Sequence, residues 1–286
     1  MTALRGAPAS LILSQLAHAG WRVVRATSEG LNRNEAGLRA AALAYQGLLS
    51  LFPLLLFLVF LASQVIALPD VRPTLDDYLN RALPTAAGIR FVKEIIDETL
   101  LNSRSLGLVG GLGLLWTSSA LFSHLESSLN VIWNAPRRAV WSRRLRGLAG
   151  VLILGTLFII AIALSALPAL PFLDRSNSNL DILDLGVGFV AEVLLLWFIY
   201  RWLPNSPVRF VSALAGAVLA ALLWEAAQFG FRVYLVSGLA NFGAVYGTLA
   251  SVIGLILWAY LTGIILFLGA EFSAALQREF WPPAGS

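Results

Sequence analysis

The chain has no cysteine and few charged or histidine residues. Two of its 286 residues are His, and charged side chains make up 13% of the total. The absence of cysteine excludes disulfides, thiolate metal sites and cysteine nucleophiles. His18 and His124 cannot complete a zinc site by themselves, and we predict neither a metal nor any other cofactor. Soluble domains carry about 25% charged residues, so a proportion near half of that indicates a membrane protein.

Long apolar runs occupy much of the chain. Hydrophobic residues make up 58% of it, and the mean hydropathy is +0.78. A helix of about 20 apolar residues crosses the hydrocarbon core, and the alternating segments typical of membrane barrels do not occur in the sequence. We therefore predict an all-α, polytopic membrane protein with six transmembrane helices. Four spans are predicted near 38–68, 106–123, 148–170 and 183–203, and two more lie between 211 and 271.

The N-terminal segment does not have the composition of a span. Leu13, Leu16 and Val23 share a helical face bordered by arginines, which predicts an amphipathic helix on the cytoplasmic lipid surface. A signal peptide is the alternative, because Ala17-His18-Ala19 resembles a cleavage site. The predicted parts are an N-terminal segment 1–37, a membrane domain 38–277 and a cytoplasmic tail 278–286, with an extracytoplasmic connector of amphipathic surface helices at 69–105.

Basic residues are distributed unevenly between the two sides of the predicted spans. With the N-terminus in the cytoplasm, the cytoplasmic segments include the arginine-rich loop 137–146 and hold most of the 20 Lys and Arg residues. Cytoplasmic loops of membrane proteins carry such an excess. We therefore predict a multi-pass protein with both termini in the cytoplasm.

Four polar residues lie within two predicted spans, with Glu192 and Glu225 near the midplane and Arg232 near the outer leaflet. Glu225, Gln228 and Arg232 occur at i, i+3 and i+7, which is one helical face, and Glu192 lies near the middle of the preceding span. Ionisable residues at the bilayer midplane are costly and often functional. One hypothesis is that Glu192 and Glu225 line a cavity and bind a proton or cation, while Arg232 contacts an anionic head group. The alternative is that these residues pair and only lock the helices together.

Proline and glycine predict the shape and packing of the first two spans. Pro53 cannot donate a hydrogen bond within its helix, so we predict a kink that serves as a hinge, with Ser50 bonding the loosened turn. Gly107, Gly110 and Gly113 lie three residues apart in the second span and predict close helix packing.

Depth along the helices suggests an interfacial position for several other residues. Glu126 and Glu271 are expected near the interface as solvated carboxylates. Tyr200 and Trp258 are expected in the aromatic belt at the edge of the bilayer.

Six short motifs occur along the sequence in an order that can be compared with known families. They are Ala44–Leu54 with Tyr45, Leu129–Trp133 with Asn130, Leu203-Pro204, Gly216-Ala217 followed by Leu223-Trp224-Glu225, Val245-Tyr246-Gly247-Thr248, and Leu268-Gly269-Ala270-Glu271. In this order they resemble the YihY/virulence factor BrkB family across about 38–276. The resemblance implies a six-span protein of the bacterial inner membrane. Members of that family have often been labelled ribonuclease BN, and some are discussed as transporters or lipid-related factors.

The residues favour transport over catalysis. Nuclease chemistry uses a metal-binding carboxylate or His cluster, or an acid–base pair beside a basic groove, whereas the acids here are scattered along the sequence. Ser123 and His124 are adjacent, so their side chains diverge on a helix. We expect a non-enzymatic transporter or lipid flippase for an amphipathic or anionic substrate. The alternative is an envelope scaffold that does not transport. Membrane lipids are the expected partners, and no nucleic-acid partner is expected. The sequence leaves open whether the protein forms a homo-oligomer.

Overall fold

The protein is described here by a computed structural model. It describes residues 9–66, 72–73, 86–136, 150, 179–236 and 249–282. Every regular element in these ranges is an α-helix, which confirms the predicted all-α class. The helices are α1 (Ala9–Arg33), α2 (Ala36–Ile66), α3 (Ala86–Leu101), α4 (Ser103–Ile132), α5 (Asn179–Trp202), α6 (Phe210–Val236) and α7 (Leu249–Phe280).

Four of these helices are long and apolar enough to cross a membrane. The qualifying segments are Ala36–Gln64, Ser103–Ile132, Phe210–Phe231 and Val252–Phe280. The predicted third span at 148–170 lies outside the described residues. The predicted fourth span falls within α5, which is helical but is not among the four segments. The described residues therefore support a helical membrane protein, and the count of six spans is not confirmed.

The helices divide into two compact units. The first comprises Gln46–Leu121, and the second comprises Met1–Tyr45 together with Phe122–Ser286. The boundaries run through α2 and α4, so each of these helices contributes one part to each unit.

Within Gln46–Leu121, the glycine-rich side of α4 packs closely against α2. A Cβ atom added at Gly110 would lie 2.6 Å from the backbone nitrogen of Phe57, and one at Gly107 would lie 2.7 Å from the Phe60 ring. A Cβ at Gly113 would lie 3.1 Å from Pro53 Cβ. These short distances confirm the predicted close packing along the glycines. A larger residue at any of the three positions would force the two helices apart.

Within the second unit, α6 packs on both α5 and α7. The contact with α7 is close because a Cβ at Gly216 would lie 2.5 Å from the carbonyl oxygen of Gly269. Ala213, Ala217 and Ala220 are fully buried on the same part of α6. Small side chains allow the two backbones to approach each other, which suits helices that associate by van der Waals packing in lipid.

The amphipathic helix α1 packs on protein as well as facing outward. Ala19, Val23, Thr27 and Gly30 are buried at a helical spacing, and α1 packs on α7. Trp21 is 67% exposed on another side of the same helix. The sequence predicted a helix lying on lipid, and the structure adds a protein contact along one of its faces.

A surface ion pair joins the same two helices. Arg22 of α1 donates two hydrogen bonds to Oε1 of Glu279, at 2.9 Å from Nε and 2.5 Å from the terminal nitrogen. Hydrogen bonding to Glu279 and the negative charge of Glu279 both raise the pKa of Arg22. The interaction ties the middle of α1 to the last turn of α7.

Candidate functional site

Glu192 and Glu225 lie on neighbouring helices. Glu192 is about 15 Å from the Trp202 end of α5, and Glu225 is about 22 Å from the Phe210 end of α6, at 1.5 Å per helical residue. Their carboxyl groups are near enough for the charge of Glu225 to act on Glu192. The structure therefore brings together two acids that are 33 residues apart in sequence.

The surroundings of these two acids differ. Glu192 is half-buried, whereas Glu225 is exposed on the same part of α6 as Leu222 and Phe229. The described residues therefore do not enclose Glu225 in a cavity. Gln228 is half-buried. Arg232 belongs to α6, but its side chain lies outside the part that the structure describes, so the predicted polar face is placed only in part.

The predicted hinge lies within an uninterrupted helix. Pro53 is inside α2, which continues from Ala36 to Ile66. Ser50 Oγ donates a hydrogen bond to the carbonyl oxygen of Gly47 at 2.6 Å, so it binds the preceding turn rather than the carbonyl that Pro53 leaves without a donor. Tyr45, from the first motif, is 60% exposed.

Glu271 occupies a different environment from the one predicted. Its side chain is fully buried, so the prediction of a solvated carboxylate is wrong. Asn34 Nδ2 donates to Glu271 Oε1 at 2.5 Å, and a Cβ atom at Gly30 would collide with the same carboxylate. The depth of Glu271 along its helix gave no information about the contact with α1, which covers this residue.

Positive charge surrounds the buried carboxylate of Glu271. Arg278 approaches Oε2 at 3.9 Å, and Arg33 and Arg39 are near enough for their charges to act on it. Oε2 nevertheless has no hydrogen-bond partner within the part of the chain that the structure describes. The result is one buried carboxylate among three guanidinium groups, which come from the end of α1, the beginning of α2 and the end of α7.

Backbone acceptors hold two of these arginines and connect further helices. Arg39 Nε donates to the carbonyl of Asn34 at 2.7 Å, and His124 Nε2 lies 3.1 Å from the carbonyl of Arg39. Arg278 donates to the carbonyl of Ile132 at 3.3 Å. The Glu271 cluster, defined as Glu271, Asn34, Arg33, Arg39 and Arg278, therefore also contacts α4. Sequence reasoning included only Glu271 of this set, and the available signal was the row of small and apolar residues along α1 that ends at Gly30.

The motif residues near the ends of α4 and α5 form a polar junction. Asn130 Oδ1 accepts a hydrogen bond from the backbone N–H of Asn205 at 2.7 Å, and Asn205 Nδ2 donates to the carbonyl of Pro136 at 3.0 Å. Pro204 is buried beside them. Asn130 therefore binds the turn between α5 and α6 through the backbone of Asn205. Tyr246 and Gly247 lie outside the described residues.

Of the aromatic residues predicted at the interface, Tyr200 is buried, Trp258 is half-buried and Tyr260 is exposed. Tyr200 is fully buried, and its hydroxyl donates to the carbonyl of Leu266 at 2.7 Å, so its assignment to the interfacial belt is wrong. Trp258 packs on Trp224 and Phe231, with ring centroids 5.0 and 4.9 Å apart. Glu126, expected to be solvated, is 4% exposed. Contacts between helices override the depth argument at Tyr200 and Glu126.

The described ranges contain no group of three or more His, Cys, Asp or Glu side chains that could hold a metal ion. The charged groups at the two places described above are carboxylates and guanidinium groups. A carboxylate pair can hold a proton or a cation, and guanidinium groups can bind an anion.

Comparison with known proteins gives a family but no activity. The sequence matches the family described as Virulence factor BrkB over residues 27–284. It is 32% identical to a UPF0761 membrane protein of Vibrio vulnificus over 281 residues, which cover 96% of this chain and 88% of the relative. It is 30% identical to a UPF0761 membrane protein of Vibrio cholerae, covering 94% and 92% of the two chains. No solved structure matches. The chain belongs to the Virulence factor BrkB family of membrane proteins.

Proposed function

We propose that this protein transports an amphipathic or anionic substrate, such as a lipid, across the bacterial inner membrane. The observation that supports the proposal is that Glu192 and Glu225 lie on two apolar helices that pack against each other, near enough for their charges to interact. A carboxylate within an apolar helix is expensive to maintain, and two of them together are typical of a proton or ion pathway. A packing role alone would be met by apolar residues at lower energetic cost.

In this mechanism the carboxyl pair acts as the coupling group. One proton or cation held between Glu192 and Glu225 offsets their mutual repulsion and holds α5 against α6. Its release leaves two like charges on neighbouring helices, which favours separation of α5 and α6. Transport, not catalysis, is the function proposed, with both chain termini in the cytoplasm and with no nucleic-acid partner.

An envelope scaffold is the second candidate. Its support is the two-unit organisation, in which Gln46–Leu121 forms a unit of its own and contains the amphipathic helix α3. A scaffold would bind its partner through α3 or the arginine-rich loop, and it would tolerate replacement of both glutamates.

Reconstitution distinguishes the two functions. Full-length protein in liposomes is assayed for translocation of head-group-labelled phospholipids at two pH values, together with Glu192→Gln and Glu225→Gln. The control variant is Glu29→Gln, which removes an exposed carboxylate of α1 that pairs with Arg25 at 2.8 Å. Transport predicts that each span variant reduces the flux at least about tenfold while Glu29→Gln leaves it unchanged, because only the former remove the coupling group. Wild-type flux in both span variants would refute the proposed role of the carboxyl pair.

A further inference from the structure

The Glu271 cluster contains more positive than negative charge. Arg278 lies 3.9 Å from the Glu271 carboxylate, Arg39 binds the backbone of Asn34, which donates to that carboxylate, and Arg33 precedes Asn34 in the chain. Arg33 and Arg278 are near enough for their like charges to oppose each other. Like charges held together without compensation destabilise the arrangement that contains them. An anion bound among them would remove this repulsion.

The three arginines differ in the hydrogen bonds that they make with the rest of the protein. Arg39 uses Nε to bind the carbonyl of Asn34, and Arg278 binds the carbonyl of Ile132. Arg33 is exposed and makes no hydrogen bond or ion pair with the described residues. Each guanidinium group has five N–H donors in a planar fork, so most of the donors in this cluster are left for a ligand.

Burial gives the cluster a fixed framework. Glu271 is fully buried, its Oε1 is held by Asn34, and its Oε2 has no hydrogen-bond partner among the described residues. The carboxylate therefore attracts the guanidinium groups without using their donors in close hydrogen bonds. Arg278 lies 3.9 Å from Oε2, and its side chain is 39% exposed, so a ligand can reach its guanidinium group.

The location of the cluster suits a ligand that lies at the membrane surface. The arginines lie at the end of α1, in the first turn of α2 and in the last turn of α7, where the basic residues of the sequence predict the cytoplasmic interface. Trp21 is exposed on α1, and Arg209 stacks on Trp281 at 5.1 Å beyond the end of α7. Aromatic and basic side chains together are typical of the head-group layer.

We propose that Arg33, Arg39 and Arg278 form a binding site for a phosphate-bearing anion, either the head group of an anionic lipid or a soluble phosphate. The guanidinium groups donate to the phosphate oxygens, because planar donor forks match phosphate geometry. Glu271 positions the arginines and does not contact the ligand. This site is separate from the Glu192–Glu225 pair, and the proposal does not depend on the transport function.

Native mass spectrometry of the full-length protein in a non-ionic detergent tests the site. The probes are dihexanoyl phosphatidylglycerol and inorganic phosphate, the latter added alone and as a competitor. Arg33→Gln is the informative variant, because the Arg33 side chain is exposed at the end of α1. Arg33→Lys retains the charge, and Arg25→Gln is the matched control on the same helix, where Arg25 pairs with Glu29.

We expect Arg33→Gln to weaken lipid binding about fivefold, which is the loss of one partly exposed charge-assisted contact, and Arg33→Lys to recover part of the loss. Arg25→Gln should change the affinity less than about twofold, since it lies outside the cluster. Binding of the lipid that inorganic phosphate does not displace would identify a head-group site, and displacement would identify a general phosphate site. Equal effects of Arg33→Gln and Arg25→Gln, or no binding of either probe by the wild type, would overturn the proposal.

Discussion

Asn34→Ala is expected to destabilise the junction between α1 and α7 strongly. The substitution removes the hydrogen bond from Asn34 Nδ2 to Glu271 Oε1 but keeps the backbone carbonyl that Arg39 binds. Glu271 is fully buried and its Oε2 already lacks a hydrogen-bond partner among the described residues, so neither oxygen would retain one. A hydrogen bond to a charged group contributes about 1.5–3 kcal/mol, and breaking a buried charged pair costs about 3–5 kcal/mol. Because Arg278 still neutralises part of the charge, we expect a loss of about 2–3 kcal/mol.

The measurement is the equilibrium unfolding of the full chain in mixed micelles with increasing fractions of sodium dodecyl sulfate, followed by far-ultraviolet circular dichroism. Asn32→Ala is the control, because Asn32 is an exposed residue of the last turn of α1, two positions before Asn34, and its loss should change stability by less than about 0.5 kcal/mol. In a Glu271→Leu background, Asn34→Ala should have much less effect, which gives a coupling energy of about 2 kcal/mol. Equal destabilisation by Asn34→Ala and Asn32→Ala would refute the reasoning about the buried carboxylate.

Two further predictions concern the packing of α5, α6 and α7. Gly216→Ala places a Cβ atom 2.5 Å from the carbonyl of Gly269, so we expect a loss of about 1–3 kcal/mol in the same unfolding assay. Gly188→Ala is its control, because no atom of the described residues lies within 4 Å of the added Cβ and alanine favours the helix, and a comparable loss there would contradict the packing argument. Tyr200→Phe removes the buried hydrogen bond to Leu266, and we expect a loss of about 1 kcal/mol with the ring packing kept. An unchanged unfolding midpoint in Tyr200→Phe would show that this hydrogen bond contributes nothing.

The residues that sequence reasoning located well are those whose environment depends on near neighbours along one helix. The glycines of α4 lie three residues apart, and this spacing alone places them on one face. The close packing of these glycines against α2 could be predicted because small residues favour contact between helices in lipid. The apolar length of α2, α4, α6 and α7 likewise follows from composition within each segment.

Predictions that used only the depth of a residue along its helix were less successful than those based on spacing. Glu126, Tyr200 and Glu271 lie where counting along their helices indicates an interface, and all three are buried. Distance along a helix gives the height of a residue but not the side to which it points or the element that covers it. The identity of the covering helix depends on contacts between residues far apart in sequence.

Taken by itself, the sequence determined that this is an all-α membrane protein with an amphipathic N-terminal helix, because composition and helical spacing are local properties. Only the tertiary structure decided that α1 lies over Glu271, since Asn34 and Glu271 are separated by 237 positions. The same holds for the approach of Glu192 to Glu225 and for the gathering of Arg33, Arg39 and Arg278. These arrangements depend on how α1, α5, α6 and α7 pack, and the pattern within a single helix does not specify its neighbour.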